Sequence, residues 1–149
     1  MAWLDRDRSS VLIARVAQKD EWGCAIACAA MVLGVAYDDV AMDLPEKQRA
    51  RLIAGEPPRF NLETYLQSHG IACSMRWPDR PVRVDPAWRP QPRTAVSVYS
   101  TSRSCDLESV IALHAIVVLP DGTIIDPNTT SPAALAELVV WHVLEVTSS

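Results

Sequence analysis

The stretch Gly23-Cys24-Ala25-Ile26-Ala27-Cys28-Ala29-Ala30-Met31-Val32-Leu33-Gly34 decides how the chain is read. It has the composition of one buried helix: alanines and aliphatics without a charge, closed by a glycine suited to a C-cap. A cysteine opens it. A thiol in the first turn of a helix meets the positive end of the macrodipole and unpaired backbone N–H groups, and both favour the thiolate. Cys24 is therefore a candidate nucleophile. Cys28, one turn deeper with Met31, Val32 and Val35 completing an apolar stripe, reads as a small core residue. Upstream, Gln18-Lys19-Asp20-Glu21-Trp22 reads as a polar loop feeding the helix, and it places the Gln18 amide shortly before the thiol.

Outward from that helix, the apolar run at 11–14 suits an edge strand or a lead-in. Residues 37–44 suit a second helix, with Asp38 and Asp39 in its first turn and Pro45 after it. A third is expected at 46–53. After the break at Gly55-Glu56-Pro57-Pro58, Asn61 can cap a fourth over 62–68 that ends at Gly70. The second half changes character: 71–77, 94–99, 114–119, 123–126 and 138–146 suit strands, and a short helix at 132–138 crosses to the last of them. Asp121-Gly122 is a hairpin turn signal. Residues 78–93 carry five prolines, four arginines and Trp88, a composition that resists both helix and sheet pairing. Arg83, Trp88 and Arg89 in that loop, with Trp22 and Gly23 beside the thiol, are the candidate substrate-binding residues. The expected fold class is α+β, a helical half packed on an antiparallel β-sheet, in one domain over residues 1–149.

The sheet half supplies the partners a nucleophile needs. His114 begins a strand of branched aliphatics, where an imidazole can be aimed from the sheet toward the helix start. The hairpin at Asp121-Gly122 returns the chain to Asp126-Pro127, which brings a carboxylate back toward that imidazole to hold its tautomer and steady its charged form. Thiol, imidazole and carboxylate together point to nucleophilic cysteine chemistry.

Composition narrows the classes. A net charge of −4 and a pI near 5.3 argue against general nucleic-acid binding, which needs surplus Lys and Arg. The charged amino terminus is unlike a signal peptide, and the longest apolar run falls well short of the roughly 20 residues that span a bilayer, so neither export nor membrane insertion is expected and the location reads as cytoplasmic. The four cysteines are scattered, which favours free thiols over a disulfide framework. A Cys2His2 zinc set from Cys24, Cys28, His114 and His142 is the weaker alternative, since the Cys pair lies on an apolar helix instead of in a knuckle turn. The expectation is no metal and no cofactor. His69 and His142 read as structural.

In the order Gln18, Cys24, Cys28, Met31, His114 and Asp126-Pro127, the chain resembles the papain-like cysteine peptidases, and within them the bacteriocin-leader (double-glycine) peptidases and their stand-alone relatives. The resemblance runs over residues 16–128. It implies a papain-like fold and a cysteine-dependent hydrolase, peptidase or amidase, that works through an acyl-enzyme on a peptide or protein substrate. It makes Cys24 the nucleophile, His114 the general base and acid, Asp126 the orienting acid, and the Gln18 side chain with the Cys24 N–H the oxyanion hole. Those peptidases usually carry an acidic residue before the nucleophile and a glycine after it, where this chain has Gly23 and Ala25. An inactive peptide-binding module and an acyltransferase are the rival readings of the same cleft.

Overall fold

A computed structural model describes residues 13–75, 81–83, 96–103, 113–134 and 137–148. Helix α1, Cys24–Leu33, is buried continuously from Ile26 to Val32. A helix apolar on every side must be surrounded, and its alanines let neighbours come close. It packs against the strand His114–Val118 of the sheet and against the second and fourth helices. Gly34 stops it in the left-handed conformation (φ 72°), its N–H donating to Ala30 O at 2.8 Å.

Helix α2, Tyr37–Ala41, is shorter than the sequence pattern predicts. The turn tightens after Ala41, with Asp43 N–H donating to Val40 O and Leu44 N–H to Ala41 O, and Pro45 then begins a new direction. Helix α3, Glu46–Ile53, buries only Leu52 and otherwise faces solvent. Helix α4, Leu62–Ser68, starts where Asn61 Oδ1 accepts the Thr64 N–H at 2.9 Å and gives way to Gly70 at φ 81°. These bounds follow local caps, and three of the four helices match the pattern read from sequence.

The strands are β1 (Ala72–Met75), β2 (Val82–Arg83), β3 (Val96–Ser102), β4 (His114–Val118), β5 (Ile124–Ile125) and β6 (Val139–Ser148). They form one antiparallel sheet in the order β1-β6-β3-β4-β5, with β2 also paired to β6. The architecture is therefore α+β. One face, with Val96, Val98, Ala115, Val117, Leu144 and Val146, joins the α1 core. The other carries a second apolar cluster of Tyr99, Ile116, Val118, Leu138, Val140 and Val143. That is why β4 reads as unbroken aliphatics: both of its faces are covered. No helix among the described residues is long and apolar enough to cross a membrane.

Two expectations need correction. Within the proline-rich stretch, Val82 and Arg83 do pair, opposite Val140 and Val139. Pro81 sits just before the pairing, where its missing N–H costs no ladder bond, and β2 is an edge strand. The expected helix at 132–138 is absent from Pro132, Ala133 and Ala134; residues 135–136 lie outside the described residues, and a tight 3₁₀-type turn, Glu137 N–H to Ala134 O, precedes β6. Of the apolar lead-in, Ile13 and Ala14 form no strand, and Ile13 packs on the core; its first two residues lie outside the described residues.

Candidate active site

The β4–β5 hairpin carries the imidazole and the carboxylate. Val117 and Val118 pair with Ile125 and Ile124, Leu119 N–H donates to Thr123 O at 2.9 Å, and Gly122 takes the positive φ of 91° that this turn requires. The chain thus comes back past β4, and Asp126, the residue after β5, meets His114: Nε2 and Oδ1 are 2.7 Å apart. The Asp126 side chain is 12% exposed and that of His114 35%, so the carboxylate is shielded while the ring keeps an open side. Asn128 N–H also donates to Asp126 Oδ1, at 2.8 Å.

With Nε2 engaged by Asp126, Nδ1 is the ring nitrogen left for the thiol. Cys24 and His114 act on each other's ionisation. For Cys24, burial opposes ionisation, but the His114 hydrogen bond, the Ala115 backbone, the imidazolium charge and the Ala25 backbone together outweigh it and lower the thiol's pKa. For His114 the Cys24 hydrogen bond is the largest influence; burial works against it, Asp126 adds to it, and the ring is raised to about 9. The two shifts favour one state, thiolate beside imidazolium. The Cys24 Sγ lies 4.0 Å from the Leu113 carbonyl oxygen.

The other described cysteines are free thiols too, but differently placed. Burial pushes Cys28 well up, with the charges of Cys24 and Asp126 adding to it, and burial likewise raises Cys73. Among these three, Cys24 alone is activated.

The turn before α1 has its own logic. A Cβ on Gly23 would overlap the Tyr37 hydroxyl and come within 3.0 Å of Tyr37 Cζ and 3.1 Å of the Asp20 carbonyl oxygen. Tyr37 has little freedom to yield, being 3% exposed with its hydroxyl donating to Asp20 Oδ2 at 2.8 Å. Glycine at this position is thus explained by packing, apart from any approach of substrate. Gly23 N–H in turn donates to Asp20 O at 3.0 Å. Trp22 spends its indole N–H on the Gly55 carbonyl at 2.9 Å, tying the turn to the loop after α3.

Gln18 is joined to the site through its backbone, whose N–H donates to Pro127 O at 2.9 Å. Its amide nitrogen donates to Asp20 O at 3.0 Å and Glu21 O at 3.1 Å, so in this conformation its donors hold the turn together. Reversing the amide would set Oε1 against two carbonyl oxygens, which fixes the orientation. Oε1 itself is buried and has no hydrogen-bond partner among the described residues.

The structure therefore brings Cys24, His114 and Asp126 together, whereas Gln18 is tied by its backbone to Pro127 and by its side-chain donors to the turn before α1. The expected recognition residues are more dispersed. Arg83 donates to Glu137 O at 3.2 Å at the His114 end of the sheet, three strand spacings from β4, or about 14 Å. Trp88 and Arg89 lie outside the described residues. Among the described residues no three or more His, Cys, Asp or Glu gather as a metal would need, and His142 of the alternative zinc set is exposed on β6. His69 lies against the Tyr65 ring, with Nε2 3.7 Å from Asp43 Oδ2. Sequence reading missed Arg15, Asp20 and Tyr37, whose links to the site are tertiary and leave no local pattern. No protein-family model matches the chain and no curated protein matches it.

Proposed function

We propose that the chain is a cysteine-dependent hydrolase of papain-like type, a peptidase or amidase. The observation that carries this reading is the series Cys24–His114–Asp126, with the imidazole bonded to the carboxylate at 2.7 Å and the thiol and imidazole each favouring the other's charged form. The Cys24 thiolate attacks the amide carbonyl carbon, and the carbonyl electron pair moves onto oxygen. His114 then gives its proton to the leaving nitrogen as the C–N bond breaks, leaving a thioester on Cys24 and an amine. Neutral His114 takes a proton from water, whose oxygen attacks the thioester; loss of the thiolate releases the acid and restores the ion pair. Asp126 holds the ring through both transfers.

One observation favours the rival in which the cleft binds a peptide without cutting it. The Gln18 amide, the side-chain donor for an oxyanion, is engaged by Asp20 and Glu21 carbonyls. Turnover then rests on the Cys24 N–H, or on release of Gln18 when substrate binds.

Iodoacetamide labelling with mass mapping, at a pH about two units below an ordinary thiol pKa, tests the nucleophile. Cys24 is expected to label selectively, ahead of Cys28 and Cys73. Labelling no faster than an ordinary thiol overturns the reading. Selective labelling without cleavage of any amide in a peptide library assigns the cleft to binding.

A further inference from the structure

Arg15 lies far from the hairpin in sequence and reaches it in space. Its Nε donates to the Asp126 carbonyl oxygen at 2.7 Å and its Nη2 to the Pro127 carbonyl oxygen at 3.2 Å. The Gln18 N–H takes the same Pro127 oxygen at 2.9 Å. Such an anchor has a mechanical reason. Asp126 follows a strand of only two paired residues, Ile124 and Ile125, and a ladder that short gives little hold on what comes after it. The side chain of Asp126 is held from one direction by His114 and the Asn128 N–H, and its backbone from another by Arg15. A planar guanidinium spans two consecutive carbonyls as a fork; an ammonium offers no such fork.

We propose that Arg15 is a positioning residue of this site: by pinning the Asp126 and Pro127 carbonyls it keeps Asp126 Oδ1 against His114 Nε2. The inference rests on the reading of Cys24 and His114 given above. Among the described residues, the ionisable groups acting on His114 are Cys24 from α1 and Asp126 from the loop after β5, with Cys28 behind Cys24 and the Arg15 cation beyond Asp126.

Position and charge pull in opposite directions, which makes the proposal testable. A loosened Asp126 lowers the His114 pKa, whereas loss of a nearby cation raises it. Arg15 is exposed, so its variants are expected to fold, and melting by circular dichroism checks this. The test compares the full chain with Arg15→Lys and Arg15→Ala, titrating the His114 ring by NMR across the neutral and alkaline range. In the wild-type protein the ring should titrate at about 9. Positioning moves this down by about one pH unit in Arg15→Lys, which keeps the charge and loses the fork, and by less in Arg15→Ala, where the lost charge offsets part of the fall. A titration unmoved in Arg15→Lys, or raised in Arg15→Ala, overturns the proposal. So does a lower melting temperature with an unchanged titration. The titration reads the Asp126 contact whether or not Cys24 reacts. An inert wild-type Cys24 would sink the hydrolase reading alone, and an NMR titration unchanged in both variants would sink this one.

Discussion

The start and the middle of α1 carry the same side chain one turn apart and treat it in opposite ways. Burial acts against ionisation at both Cys24 and Cys28. At Cys28 nothing offsets it, and the neighbouring charges are negative. At Cys24 an imidazole, two backbone groups and a positive charge reverse the sign. The helix dipole alone does not separate them so sharply; the separation comes from β4 beginning beside the first turn, so that His114 faces one thiol and the core surrounds the other. Reactivity here is a property of which strand end a cysteine meets.

The largest effect should follow from removing what distinguishes the two thiols. His114→Ala should slow Cys24 alkylation near neutral pH by about a hundredfold or more, and abolish turnover, leaving Cys24 governed by burial as Cys28 is. In the wild-type protein the alkylation rate should climb with a limb below the ordinary thiol value, where Cys24 ionises. Turnover should then fall near about 9 as His114 loses the proton it gives to the leaving group. A single limb at the ordinary thiol pKa, identical in His114→Ala, would erase the difference between the start and the middle of the helix.

A smaller effect probes the turn that sets the helix start. Gly23→Ala should cost about 1–3 kcal/mol, because the added methyl meets a buried, hydrogen-bonded phenol. Tyr37→Phe removes the overlapping oxygen, so in that background the same substitution should cost less; Tyr37 Cζ and the Asp20 carbonyl still crowd the site. Denaturant melts of the four proteins give the coupling. Strict additivity would show that Gly23 is not held by Tyr37.

The smallest effect concerns Gln18. If its amide serves the turn, Gln18→Ala should lower stability by about 1 kcal/mol and shift the Cys24 profile little. A hundredfold loss of turnover with an unchanged melt would show instead that the amide leaves Asp20 and Glu21 to meet an oxyanion.

What was legible in the sequence was local. The bounds of α1 follow from its charge-free run and Gly34, those of α4 from Asn61 and Gly70, and the return of Asp126 toward His114 from Asp121-Gly122 between two aliphatic runs. What was hidden depends on partners distant in the chain. Val82 and Arg83 become a strand because β6 lies beside them, and their own composition argued against it. Gly23 looked like a feature of substrate access because the phenol that requires a glycine there sits on the next helix. Arg15 is separated from Asp126 by nearly the whole fold.

The position of β6 bears on how the molecule comes into being. β6 follows every other described element in the chain, yet it lies inside the sheet, between β1 and β3, and β2 joins the sheet through it as well. Thiol, imidazole and carboxylate all emerge from the ribosome before the strand that unites the two sides of the sheet. Synthesis therefore proceeds with β1 and β2 unpaired and with sheet edges open, a state of slow, non-local assembly exposed to aggregation. The seam closes last, and the groups that do the chemistry wait for it.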